Sequence, residues 1–210
     1  MADAVHTQST MLHTWHTLPV AFEINGQPWR GDVRVEETPL ELVRERLRLT
    51  GTKRSCESQV CGACTVLVDG EPISACTYLA FEASGKSVTT IEGLAPEGRL
   101  DPLQEAFIRR GAAQCGFCTS GMLLACKALL EAYPKPTREQ SGRYLNGNIC
   151  RCGAYVQILE AIQDVVEARQ SDASELPWPP QGGHTSPDTS QANQPSSDAR
   201  MLRLDGHARV

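Results

Sequence analysis

The chain has 210 residues and 40% hydrophobic content, enough to build one domain or two small ones and too much for a fully disordered polymer. Its formal net charge of -5 offers no basic field to attract nucleic acid or an anionic membrane face. The longest apolar run, Gly121 to Leu130, is about half of the roughly 20 residues needed to cross a bilayer and contains Lys127, so no membrane span is expected. The first sixteen residues contain no Lys or Arg and no apolar core, which argues against an export signal and makes the cytoplasm the expected compartment.

Residues 1–17 read as a flexible lead-in. A strand-like run follows from Leu18, then Asn25-Gly26, then a second run through Trp29 to Val35; Asn-Gly between two such runs predicts a hairpin. Thr38-Pro39-Leu40-Glu41 predicts a capping box with proline at the first helical position, and Leu40, Val43 and Leu47 share a face of a helix over about 39–49. A cysteine loop, the strand Thr65–Val68, the turn Asp69-Gly70 and a strand ending near Cys76 come next. Further strands are expected around Tyr78–Ala83 and Ser87–Ile91. This first block, 18–93, is a small α+β unit.

After Gly93 the hydrophobic period changes from two to about three and a half. Helices are expected from Asp101 to Gly111, from Cys118 to before Pro134, from the Thr137–Gln140 capping box to Gly147, and from Ala154 to about Arg169. The second would present Met122, Leu123, Leu129 and Leu130, and the last a stripe of Val156, Leu159, Ile162 and Val166. Four helices with short connections predict a bundle over 94–171. From 172 to 210 the composition turns to Ser, Pro, Gln, Asp and Gly, a tail expected to be disordered or to lie along a partner, with Trp178 as an anchor candidate.

The chemistry lies in nine cysteines, all between Cys56 and Cys152, whereas the five histidines (His6, His13, His16, His184, His207) fall in the two ends. In a reducing compartment an odd, clustered set points to metal rather than disulfides. Without histidine nearby, a Rieske centre or a mixed Cys/His zinc finger does not fit, which leaves thiolate ligation of zinc or iron-sulfur clusters. The first set, Cys56-x4-Cys61-x2-Cys64 with Cys76 after eleven more residues, has the spacing of plant-type [2Fe-2S] ferredoxins. Such a cluster is anionic, so its loop must offer backbone N–H groups, and Gly62 allows the close approach. The second set is Cys115-x2-Cys118 and, thirty-one residues later, Cys150-x-Cys152. Cys118 and Cys152 stand at the starts of helices, whose free N–H groups and dipole favour an anionic centre. Cys126, mid-helix, is expected to pack as a small hydrophobe. Gly85-Lys86-Ser87 lacks the upstream glycine of a phosphate loop, because position 80 is alanine.

The strings CGACTVLVDG, QCGFCTSGM and NGNICRCGAY resemble the small iron-sulfur subunit of the molybdenum hydroxylases, the xanthine dehydrogenase and carbon monoxide dehydrogenase group, over about Val20 to Ala168. The resemblance implies a β-grasp ferredoxin-like domain followed by an all-α four-helix-bundle domain, each holding a [2Fe-2S] cluster. It implies a large molybdopterin-binding subunit and an FAD-binding medium subunit or other acceptor as partners, with the catalytic site on another chain. Gln114 would hydrogen-bond the pterin and Cys152 would be the cluster ligand nearest to it. Ser55 and Gln59 depart from the family, where glycine is frequent around the first cysteine. Two other classes remain in play: a free-standing two-cluster ferredoxin acting as a diffusible carrier, and a zinc-stabilised interaction module, which would be colourless.

Overall fold

The computed structural model describes residues 16–171. The lead-in to residue 15 and the 172–210 segment with Trp178 lie outside the described residues. Five strands form one mixed sheet in the order β2-β1-β5-β3-β4, where β1 is Thr17–Ile24, β2 Gln27–Arg34, β3 Thr65–Val68, β4 Glu71–Ser74 and β5 Ser87–Thr89. β1 runs parallel to β5, and the other neighbours pair antiparallel. The β1–β2 hairpin closes at Asn25 and Gly26, both at positive φ (50° and 75°), as a two-residue turn matched to strand twist requires. Along β1, Val20, Phe22 and Ile24 alternate into the core and their neighbours face out.

The Thr38 capping box forms as expected: the Glu41 N–H donates to Thr38 Oγ1 (3.2 Å) and the Thr38 N–H to Glu41 Oε2 (3.0 Å). The helix it opens, α1, covers Pro39–Glu41 and widens into a π turn over Leu42–Arg46. It is thus shorter than the 39–49 expected, because Arg48 enters the left-handed region (φ 60°) and unwinds the chain. Leu40, Leu42 and Val43 are buried beneath the sheet, and Leu47 is half-buried.

Tyr78–Ala83 is not a strand. Ala80–Ala83 forms a 3-10 turn, with the Glu82 carboxylate accepting from the Leu79 N–H (3.2 Å) and the Ala80 N–H donating to the Glu37 carbonyl (2.8 Å). The buried residues there, Ala80 and Ala83, are three apart rather than two, and the aromatic neighbours Tyr78 and Phe81 lend the stretch a misleading β character.

Four helices follow: α2 Pro102–Arg110, α3 Thr119–Ala132, α4 Arg138–Tyr144 and α5 Tyr155–Ser171. α3 is buried on all sides from Ser120 to Leu130, as an evenly apolar helix must be, so it is the axis of the bundle and of its core. Full burial of side chains such as Met122, Leu124 and Leu129 contributes about 1.5–3 kcal/mol each. Lys127, the one charge in that buried stretch, meets Asp101, the N-cap of α2, at 2.6 Å. On α5 the buried stripe is Ile158, Ala161, Ile162, Val165 and Val166, whereas Val156, expected inside, is 52% exposed. Tyr155 and Val156, the first two residues of α5, therefore face outward, three and four residues after Cys152.

β3 joins the two blocks. Val66 and Val68 point into the sheet's own core, and Leu67, on the opposite face, belongs to the core built around α3. No described helix is long and apolar enough to cross a membrane.

Candidate metal centres

The structure draws the eight predicted cysteines into two sets of four, and all are free thiols. In the first, Cys56, Cys61 and Cys64 lie on the loop before β3, and Cys76 lies just beyond β4, carried back by the Asp69-Gly70 hairpin. The thiols meet two by two: Cys56 with Cys61, and Cys64 with Cys76. The second set pairs Cys115 with Cys152 and Cys118 with Cys150. Among the described residues, no three Cys, His, Asp or Glu close on a single point as ligands of one ion. Two adjoining pairs of thiols suit a diiron centre, where four thiolates are shared between two irons, better than a tetrahedral zinc site.

The surroundings of each set favour negative charge. Glu57 (φ 53°) and Gln59 (φ 65°) both occupy the left-handed region, so the chain winds around Cys56 with its N–H groups turned inward. The Ser58 N–H lies 3.5 Å from Cys56 Sγ. Burial opposes the Cys56 thiolate, but the N–H groups of Ser58, Cys61 and Val60 outweigh it and bring the thiol down to about 6. Cys64 and Cys76 share a hydrogen bond: the Cys76 partner and burial push Cys64 up, while the Cys64 thiol draws Cys76 down to about 7 against burial. Gln59 is a position where the family resemblance would imply glycine. It adopts the conformation glycine favours and still directs its N–H to Cys76.

In the second set Cys118 is the N-cap of α3, and Gly153 (φ 75°) turns the chain into α5. Burial and the Cys150 thiol push Cys118 up to about 12. Cys150 is also opposed by burial, yet the N–H groups of Ala154, Cys152 and Gly153, with the Cys118 thiol, hold it below the usual thiol range. Cys115 is lowered by the Phe117 N–H and by Cys152. Cys150 is buried and Cys118 half-buried, whereas Cys115 and Cys152 face outward with Gln114. Phe117, Ile149, Tyr155 and Val156, each within four residues of a cysteine of this set, are exposed apolar residues, a feature that the cysteine spacing alone did not reveal. Cys126 lies fully buried in α3 away from both sets, where burial raises its thiol, consistent with a packing role.

The two sets are held at a fixed separation by the contact of the Gly62 loop with Gly147–Cys150. A Cβ at Gly62 (φ 67°) would lie 2.5 Å from Asn148 Nδ2. The Asn148 amide donates to the Gly62 carbonyl (3.1 Å) and to Thr65 Oγ1 (3.3 Å), and the Ile149 N–H donates to the Cys61 carbonyl (2.9 Å).

Residues 22–88 match the family described as the 2Fe-2S iron-sulfur cluster binding domain, and residues 90–163 match the [2Fe-2S] binding domain. The chain is 47% identical over 142 residues to the nicotine 6-hydroxylase small subunit of Paenarthrobacter nicotinovorans, spanning 68% of this chain and 86% of that protein. It is 45% identical over 139 residues to a probable xanthine dehydrogenase subunit of Bacillus subtilis, spanning 66% and 79%. The crystal structure of quinoline 2-oxidoreductase from Pseudomonas putida 86 superposes with a TM-score of 0.70 at 40% identity, covering 76% of this chain and 99% of that one. Two thiolate sets in an α+β unit and a helical unit, with relatives of this kind matched over most of their length, identify the chain as a member of the small iron-sulfur subunits of the molybdenum hydroxylases.

Proposed function

We propose that this chain relays single electrons from the molybdenum centre of a large molybdopterin-binding subunit, by way of two [2Fe-2S] centres, to FAD on a medium subunit or to another acceptor. The observation that carries the reading is the convergence of eight thiols as two sets of two hydrogen-bonded pairs, with backbone N–H groups directed at Cys56, Cys76, Cys115 and Cys150. Cys56, Cys61, Cys64 and Cys76 would hold one centre within 18–93, and Cys115, Cys118, Cys150 and Cys152 the other within 94–171. A [2Fe-2S] centre, when bound, supplies reversible one-electron chemistry.

The chain's own residues bind by thiolate, stabilise negative charge with N–H groups, and exclude water from the buried side formed by Cys64 and Cys150. Exposure of Gln114, Cys115 and Cys152, with exposed apolar residues close to these cysteines in the chain, supports docking of the large subunit on this side. Gln114 would hydrogen-bond the pterin there and Cys152 would be the ligand nearest to it. Exposed Cys56 supports electron exit from the first centre. Relatives named for nicotine and quinoline favour an N-heterocycle as the oxidised substrate, and the complex would act in the cytoplasm.

Native purification tests this reading. The chain should comigrate with a larger molybdenum-containing subunit and carry about four iron and four acid-labile sulfide per copy. Cys115→Ser should remove one of two distinguishable EPR signals and stop turnover while the other signal stays. Migration alone, or loss of both signals in a folded chain, overturns it.

A further inference from the structure

The two cysteine sets are joined by a backbone connection with a single non-covalent link. From Cys61 the path runs through its carbonyl to the Ile149 N–H at 2.9 Å, then along the main chain into Cys150. The Ile149 side chain is 45% exposed and cannot hold this link in place. Its neighbours do so from both ends. On one side, buried Asn148 anchors the segment to Gly62 and Thr65 through its amide. On the other, Tyr155 Oη accepts from the Cys150 N–H (2.8 Å) and donates to the Asn148 carbonyl (3.4 Å), stapling the residues on either side of Ile149 to one phenol.

We infer that Asn148 and Tyr155 are positioning residues for electron passage between the two centres, clamping the Ile149 amide onto the Cys61 carbonyl so that the sets are joined by covalent bonds and one hydrogen bond. This inference rests on the two-centre relay proposed above. The step is simple in balance: the Cys150 side loses one electron, the Cys61 side gains one, and no proton moves. Neither residue carries the charge. A gap at the hydrogen bond would weaken electronic coupling without altering either ligand set. Asn148 suits this part because its amide can donate twice to groups fixed by the Gly62 loop, where an aliphatic residue would leave the segment free to slide. Tyr155 suits it because one hydroxyl can accept from Cys150 and donate to Asn148 simultaneously.

The test uses the full chain with both centres loaded, reduced by less than one electron per molecule in a radiolytic pulse, with freeze-quenched EPR following redistribution between the two signals. Ile149 amide exchange is measured in parallel. Asn148→Ala and Tyr155→Phe should each speed Ile149 exchange and slow redistribution, while both EPR line shapes and both midpoint potentials stay as in the unmodified chain. A merely structural role would instead shift the signals or potentials or lower iron content. Unchanged redistribution despite faster Ile149 exchange, or unchanged exchange in both variants, overturns the inference. If Asn148→Ala fails to load iron, Tyr155→Phe decides, since its ring is part-exposed and keeps its packing. A single EPR signal in the unmodified chain would instead sink the underlying two-centre reading.

Discussion

Gly121, in the first turn of α3, offers a substitution in which two opposing effects can be weighed. Helix propensity alone favours alanine over glycine there by about 1 kcal/mol. Packing opposes it. A Cβ at Gly121 falls inside the contact radius of the Gly62 carbonyl oxygen, 3.2 Å from that carbonyl carbon and 3.3 Å from the carbonyl carbon of Ala63. These are main-chain atoms between two cysteines of the first set, so no flexible side chain can give way. Overpacking of this kind costs about 1–3 kcal/mol. Displacing the Gly62 carbonyl also weakens its bonds from Asn148 Nδ2 (3.1 Å) and Thr65 Oγ1 (2.8 Å), at about 0.5–1.5 kcal/mol each. The clash wins, and Gly121→Ala should destabilise the chain by about 2–4 kcal/mol. At about 2–4 °C per kcal/mol for a unit of this size, Tm should fall by about 5–15 °C. Gly142→Ala is the control: this glycine is also inside a helix, α4, but a Cβ there meets nothing within 4 Å, so stability should rise by about 0.4–1 kcal/mol. Thermal melts of the iron-loaded full chain read both. A Gly121→Ala protein as stable as the original, with the control behaving as stated, would refute the packing argument.

Lys127→Ala leaves Asp101 buried without its counter-ion, and urea unfolding should show a loss of about 3–5 kcal/mol; Lys127→Met combined with Asp101→Asn should recover much of it. Asp164, on α5, accepts from Arg110 of α2, Nε to Oδ2 at 2.8 Å, which holds its carboxyl below the ordinary 3.8. Its stabilising contribution is therefore complete above that value and is lost as pH falls through the lower folded one, so Tm should drop between about pH 5 and pH 2 by less in Asp164→Asn than in the original chain. Cys126→Ala should keep full iron content and both EPR signals, with a stability loss of about 1 kcal/mol from the vacated packing; loss of a signal would make Cys126 a ligand.

Much of this architecture was written locally. The Asn25-Gly26 turn, the caps at Thr38, Asp101 and Thr137, and the alternation of β1 depend on residues within a few positions of each other, and each formed where the pattern placed it. The readings that failed depended on distant partners. Val156 and Ile158 both fit a helical stripe, and only the position of α5 against the bundle decides which is buried. The Tyr78–Ala83 stretch became a turn because its N–H groups go to Glu37 and Glu82 rather than to a neighbouring strand. The grouping of cysteines followed from spacing, but their pairing across each set did not, since Cys118 meets Cys150 only after α3 and α4 have been folded back. The Asn148–Gly62 contact spans 86 residues and had no local signature.

β3 carries a consequence for how the two blocks can be separated. Because Val66 and Leu67 face opposite cores, a cut in the connection near residue 90 would leave an oily flank on each fragment rather than a clean seam. Expressed separately, the halves should be sticky and reluctant to fold, and swapping one of them between homologues would demand co-adaptation of Leu67 with the α3 surface opposite it. Heat should accordingly melt the pair in one concerted transition, so that whatever loosens the helical half releases iron from both.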